Sequence, residues 1–321
     1  MIFRPAVGSD FVRVAPLLTG DPVGMLTDDQ FRLRLRNGEY RSEWMWIADE
    51  AGEDDGAGPP AAVAIWWGRP QDSLPSALDA VIVAEPAGSG DRIRLTAGLL
   101  IAAHRAFALA GAERLPDYHL FLPADWHERP AAVAAVDWRR EAARQAGLTM
   151  ELERLGYQWT DAGLPGRTGR LTFRPEADDD VFAGLLSQVL EGTLDATSRK
   201  AAESAGPLAQ ARQDVRFYRE NMLGQRTWWR VARTPAGEIA GFGIPSRNTE
   251  YPVVGYLGVL PEHRGHGYVD EILAEITRIL VAETGASAIR ADTDLGNRPM
   301  AAALERVGYR IHGRRLVLSA P

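Results

Sequence analysis

The chain has 321 residues, 45% of them hydrophobic and 25% charged, with a formal net charge of −7 and no cysteine. That length is long for one core and comfortable for two, in a composition ordinary for a soluble globular protein. The missing cysteines exclude disulfides, thiolate metal sites and a cysteine nucleophile, and the acidic balance argues against nonspecific binding to nucleic acid or anionic membranes.

The opening "MIFRPAVGSDF" has no apolar signal core, and no apolar run is long enough to span a bilayer; a soluble, cytoplasmic protein with no membrane partner is expected. Lys200 is the only lysine, so 35 of the 36 basic residues are arginine. With no Gly-Lys pair, a Walker-type phosphate loop is excluded, and only Lys200 could form a Schiff base.

In chain order, "IFR" (2–4) reads as a strand. "WMWIAD" (44–49) and "AAVAIWW" (61–67) read as two more, joined by the acidic "DEAGEDDGAGPP" (49–60), a solvated hairpin loop. "ALDAVIVA" (77–84) is the next strand. The turn inside "VAEPAGSGDRIRLTAG" (83–98) then leads to a helix, the strand "YHLFL" (118–122) and a closing helix within 126–148. The turn-rich "DAGLPGRTGR" (161–170) is a linker.

The same order then returns. "LTF" (171–173) is a strand, and Leu185, Leu186, Val189 and Leu190 fall at helical spacing. "WWRVAR" (228–233), "IAGFGI" (239–244) and "PVVGYLGV" (252–259) are strands. After Pro261 the turn Arg264-Gly265-His266-Gly267 opens a helix carrying Val269, Ile272, Leu273, Ile276, Ile279 and Leu280 at helical spacing. "AIRADTD" (288–294) and a second closing helix follow. Short motifs repeat with the elements: "FRPA" (3–6) with "FRPE" (173–176), "LERLGYQ" (152–158) with "LERVGYR" (304–310), and "EWMWIA" (43–48) with "RTWWRVA" (226–232). The expectation is two copies of one domain, residues 1–165 and 171–321.

A strand, a glycine turn and a helix form the geometry in which backbone N–H groups and a helix dipole converge on a phosphate. Glycines matter there because a Cβ would hold the phosphate away. Arg264 either adds charge to that site or caps a neighbouring strand. The wider pattern is more specific. Val259-x-Pro261-x-x-Arg264-Gly265-x-Gly267, a strand ending in Thr293-Asp294, then Asn297 and Gly308-Tyr309 resemble the GNAT superfamily of N-acetyltransferases.

That resemblance implies an α+β fold of two tandem GNAT-like domains, each a mixed, mostly antiparallel twisted sheet flanked by helices. It implies acetyl-CoA, or another acyl-CoA, as co-substrate and no metal. The pyrophosphate would be held by Arg264, Gly265, His266, Gly267, Tyr268 and Val269, with Asn297 on the pantetheine arm or pyrophosphate. Leu257 to Val259 would offer a backbone N–H to the thioester carbonyl, and the pantetheine amides would pair with that strand like an extra strand. Val269 stands where the loop usually ends on a small residue, and Leu304 where many members carry a tyrosine acid. The first half has Gly88-Ser89-Gly90 but no arginine ahead of them, with Pro86 and Asp91 beside them, and reads as a degenerate copy.

Candidate catalytic residues are Glu250, as base or as a solvated loop carboxylate, and Tyr256, as acid or as a core side chain. Asp292 and Asp294 share one strand face, to reach substrate or to cap a helix. The function these features imply is acyl transfer to the amine of a small molecule, by a monomer or homodimer. Two alternatives stay open: aminoacyl-tRNA as donor, which would make nucleic acid a partner, and a non-catalytic acyl-CoA sensor.

Overall fold

The computed structural model describes residues 1–18, 21–24, 26–49, 58–84, 88–160, 163, 166 and 169–321. Most of the acidic loop 49–60, most of the linker 161–170, and Pro86 lie outside the described residues. The elements run β1 (Ile2–Pro5), α1 (Phe11–Val14), α2 (Asp28–Arg36), β2 (Met45–Asp49), β3 (Ala62–Trp67), β4 (Ala77–Val83), α3 (Ser89–Leu109), β5 (Asp117–Leu122), α4 (Pro130–Gln145) and β6 (Met150–Thr160). They continue with β7 (Thr172–Pro175), α5 (Asp179–Leu190), α6 (Ala196–Ala205), α7 (Pro207–Glu220), β8 (Arg230–Arg233), β9 (Ile239–Arg247), β10 (Pro252–Val259), α8 (Tyr268–Thr284), β11 (Ala288–Asp294), α9 (Arg298–Arg306) and β12 (Arg310–Ser319).

Two compact units result. The first holds residues 1–153 and 313–321, the second residues 154–312. Strand order is β1-β2-β3-β4-β5-β12 in the first and β6-β11-β10-β9-β8-β7 in the second. Within each unit the strand pairings are antiparallel except β4 with β5 and β10 with β11. These divisions differ from the sequence halves 1–165 and 171–321, because each unit's closing strand comes from the other half of the chain. β6 pairs with β11 from Arg154↔Asp294 to Thr160↔Ala288, and β12 pairs with β5 from Arg314↔Leu122 to Leu318↔Tyr118.

The repeat motifs divide accordingly. The two "FRP" stretches are equivalent edge strands: Phe3 pairs with Ala48 and Phe173 with Ala232. The "LERLGYQ" match is a correction, since residues 152–158 lie in strand β6 while Leu304 and Arg306 lie in helix α9. The structural counterpart of Gly308 (φ +100°), just beyond α9, is Gly147 (φ +93°), just beyond α4; both turns need a left-handed residue.

Helix α8 sets the geometry of the second unit. Ile272, Leu273, Ile276, Ile279 and Leu280 are buried on one face, each contributing about 1.5–3 kcal/mol of apolar burial. The helix lies close over β9 because Gly241 and Gly243 offer no side chain there: a Cβ on Gly243 would meet Ile276 Cδ1 at 2.9 Å. Left-handed glycines bound it at both ends, Gly267 (φ +73°) and Gly285 (φ +64°). Its N-terminus is thereby fixed just beyond the end of β10.

Candidate functional site

The second unit contains a cavity of about 670 Å³ between the diverging ends of β10 and β11. The two parallel strands meet only at Val253↔Arg290. Beyond that point β10 bulges: Val254 pairs with Pro245 and Tyr256 with Ile244, leaving Gly255 as the extra residue. Only glycine fits there, since a Cβ would meet the Ile244 carbonyl at 2.7 Å and Tyr218 Cε1 at 3.1 Å. The Tyr218 hydroxyl of α7 donates to the Gly255 carbonyl at 2.7 Å and holds the bulge.

Past the bulge, the Leu260 N–H donates to Ala240 on the β9 side at 2.9 Å, while the Val259 carbonyl accepts from Arg264 Nε at 3.3 Å. Strand alternation therefore turns the backbone groups of Leu257 and Val259 away from β9 and toward the cavity. Both residues line it.

The loop closes the other end. Gly265 (φ +83°) and Gly267 adopt left-handed backbone that a side chain would strain. Packing does not demand either glycine. A Cβ at Gly265 would meet nothing within 4 Å, and one at Gly267 only Arg170 Nη2 at 3.9 Å. Gly267 is the N-cap of α8 and supplies no side chain to its first N–H groups. Those donors lie at a helix N-terminus, the kind of place where backbone N–H groups can take an anion, with Tyr268 and Val269 on the cavity wall.

Arg264 lines the cavity, but its guanidinium is spent on backbone. Nη1 donates to the Glu191 carbonyl at 2.9 Å and Nη2 to the Val189 carbonyl at 3.0 Å, beside the Nε contact with the Val259 carbonyl of β10. Of the two roles expected for it, capping is the one the geometry contains, and it caps the end of helix α5 as well as β10. His266 is absent from the cavity wall; its ring stacks on Tyr268 at 5.6 Å and its Nδ1 lies 3.2 Å from the His263 carbonyl. Asn297 lines the cavity and also N-caps α9, accepting from the Met300 N–H at 3.4 Å.

Glu250 stands apart from the cavity. It lies on the exposed turn between β9 and β10, where the Asn248 side chain accepts from the N–H groups of Glu250 and Tyr251, and it is not among the cavity-lining residues. Tyr256 does line the cavity, stacked on Phe242 at 6.0 Å. Burial, reinforced by the charges of Asp195 and Asp214, pushes its hydroxyl up to about 12. Leu304, at the family's usual acid position, is buried and lines the cavity.

Sequence reasoning missed one wall. Asp195, Thr197, Ser198 and Tyr218, on and around α6 and α7, line the cavity together with Arg154 from β6. Arg154 pairs with Asp292 at 2.6 Å, Asp294 at 2.9 Å and Asp195 at 3.3 Å. Burial would lower its pKa, but these three carboxylates raise it above the usual value. Burial holds Asp294 above the ordinary carboxylate range. Asp294 does cap a helix, accepting from the Ala196 N–H of α6 at 2.7 Å, an earlier element than the α9 its sequence position suggested. The Asp195-x-x-Ser198 spacing was the available signal, because the Asp195 side chain accepts from the Ser198 N–H at 2.7 Å as a helix N-cap.

Among the described residues no group of histidines and carboxylates could hold a metal ion, and no helix is long and apolar enough to cross a membrane. The family model described as acetyltransferase (GNAT) domain matches residues 170–310. No curated protein matches the chain. A GCN5-related N-acetyltransferase from Sphaerobacter thermophilus is similar in structure, with a TM-score of 0.59 at 18% identity over 98% of this chain and 94% of that one. A tandem GNAT protein from the clavulanic acid biosynthesis pathway has a TM-score of 0.52 at 17% identity, covering 99% of this chain and 98% of the other. The glucosamine N-acetyltransferase region of a fungal multi-domain β-N-acetylglucosaminidase has a TM-score of 0.58 at 14% identity, over 98% of this chain and 38% of that protein. These likenesses establish the tandem GNAT fold over the whole chain, with the family model confined to the second half.

Proposed function

We propose, from the match of residues 170–310 to the acetyltransferase (GNAT) domain model, that the protein moves an acetyl or other acyl group from acyl-CoA to the amine of a small molecule. One observation carries this reading: a single cavity joins a bulged strand edge, the glycine-bounded N-terminus of a helix and a half-buried tyrosine.

The loop 265–269 takes the pyrophosphate through backbone N–H groups. The pantetheine amides pair with the free edge of β10. The amine nitrogen attacks the thioester carbon, and the oxygen that becomes negative takes a hydrogen bond from an N–H of the Leu257–Val259 edge. Collapse of the tetrahedral intermediate breaks the C–S bond, and the Tyr256 hydroxyl gives its proton to the leaving sulfur. With an upward-shifted pKa, that hydroxyl remains protonated at neutral pH and is available as an acid. The attacking amine loses its proton to the carboxylate-lined wall around Asp292, directly or through water.

The aminoacyl-tRNA alternative loses support, because both cavity-lining arginines, Arg154 and Arg264, already have carboxylate or carbonyl partners. Leu304 at the usual acid position favours the sensor alternative, which predicts binding without turnover. The test is thermal stability against acetyl-CoA concentration, followed by product detection with an amine panel. Stabilisation with acetylated product supports the transferase; stabilisation with no product from any amine supports the sensor.

A further inference from the structure

The first unit repeats the architecture of the cavity. Its β4 carries the same bulge: Ala80 pairs with Ile65 and Leu78 with Trp66, leaving Asp79 as the extra residue. It also meets its parallel neighbour only near the strand start, at Ala77↔Asp117 and Leu78↔Tyr118. Superposing the two bulges in register matches Ala77 with Val253, Val81 with Leu257 and Tyr118 with Ala291. In the second unit, Leu257 and Ala291 line the open cavity.

Their counterparts are closed over. Tyr118 is 1% exposed where the second unit has only a methyl group. Arg139 of α4 is 2% exposed and donates through Nη2 to the Val81 carbonyl at 2.9 Å. The same guanidinium donates to the Ala135 carbonyl at 3.0 Å and is paired with Asp21. The buried Tyr118 ring packs in the same core cluster as Val81 and fills the space beside that strand edge. The Val81 carbonyl is thus already occupied by an Arg139 N–H, with the Tyr118 ring beside it. That hydrogen bond is one of the two bonds a secondary amide makes when it adds to a strand edge.

We propose that the first unit contains a closed copy of the acyl-CoA slot, in which Tyr118 and Arg139 together take the place of a pantetheine amide on β4. This rests on the reading of the second-unit cavity as the acyl-CoA site. The slot is shut by its own side chains, so the chain takes one acyl-CoA, and removing both side chains restores a pantetheine-binding edge at Val81. Asp21, 22% exposed at its side chain, regains water when Arg139 is removed.

The experiment compares the whole protein with the Tyr118→Ala/Arg139→Ala double variant, using CoA and free pantetheine as probes. Calorimetric titration should give one CoA site in the native protein, and the variant should gain a separate pantetheine site. Residue-resolved hydrogen exchange on the native protein serves even where the variant does not fold. Without ligand, the Val81 amide should exchange at least about tenfold more slowly than that of Leu257. Saturating CoA should slow exchange at 257–259 and 265–269 and leave 79–83 unchanged. Two CoA sites in the native protein, CoA protection at 79–83, a fast Val81 amide, or a folded double variant without the pantetheine site would each overturn the proposal. Failure of the native protein to bind CoA, with Val81 slow, would instead remove the acyl-CoA reading of the second unit.

Discussion

Replacing Gly267 with leucine separates the ligand-binding role of the loop from its structural one. Gly267 sits at φ +73°, a left-handed conformation that costs an L-residue about 1–2 kcal/mol. Nothing else opposes the side chain, because the nearest atom to a Cβ is Arg170 Nη2 at 3.9 Å. For a domain of this size each kcal/mol corresponds to roughly 2–4 °C, so the variant should melt roughly 2–8 °C below the native protein and remain folded. Acetyl-CoA at a hundred times its Kd should stabilise the native protein by about 2.7 kcal/mol. In Gly267→Leu that shift should vanish, since the side chain stands over the N–H groups meant for the phosphate. Gly285→Leu is the matched control: it imposes the same left-handed strain at the other end of α8, φ +64°, with nothing within 4 Å of its Cβ. Differential scanning fluorimetry with and without acetyl-CoA reads all three proteins. An undiminished shift in Gly267→Leu, or an equal loss in Gly285→Leu, would refute the assignment of the phosphate to this loop.

Tyr256→Phe should lower turnover by about 100-fold or more while acetyl-CoA affinity stays within about threefold, as steady-state rates and titration would read; near-native turnover would pass the acid role to water. Glu250→Gln should leave turnover at neutral pH within about threefold, because the residue is outside the cavity; a fall of about 100-fold in the same rate assay would restore it as the base. His104, buried in the first unit beside Trp66, is held down at about 4 by burial. Its folded pKa lies below its unfolded value near 6.5, so protonation favours the unfolded chain. The contribution, roughly 3 kcal/mol, is full above about pH 6.5 and lost as the pH falls toward about 4. Urea denaturation across that window should show a flatter pH dependence in His104→Leu, and an unchanged slope would contradict the burial argument.

The glycine-rich turn, the strand before it and the helix after it were legible because each depends on local chemistry. Positive φ selects Gly265 and Gly267, and helical spacing selects Ile272 through Leu280. Side-chain direction was not legible. Arg264 reads as a phosphate ligand in one dimension, yet its guanidinium finds the carbonyls at the end of α5, 73 and 75 residues earlier in the chain. The acidic wall was hidden for the same reason: Arg154, Asp195 and Asp292 come from three separated segments, joined by the pairing of β6 with β11 and the contact of Asp294 with the start of α6. That pairing also explains why the "LERLGYQ" repeat misled. A few matching letters carry no information about whether they fall in a strand or at a helix end.

The central claim is tested most directly by following thiol release from acetyl-CoA in the presence of an amine panel. The protein contains no cysteine, so a thiol reagent reports only the released CoA. The account predicts thiol release that needs both protein and a particular amine, matches the acetylated amine mole for mole, and disappears in Gly267→Leu. Amine-dependent release that persists undiminished in a folded Gly267→Leu variant would contradict it.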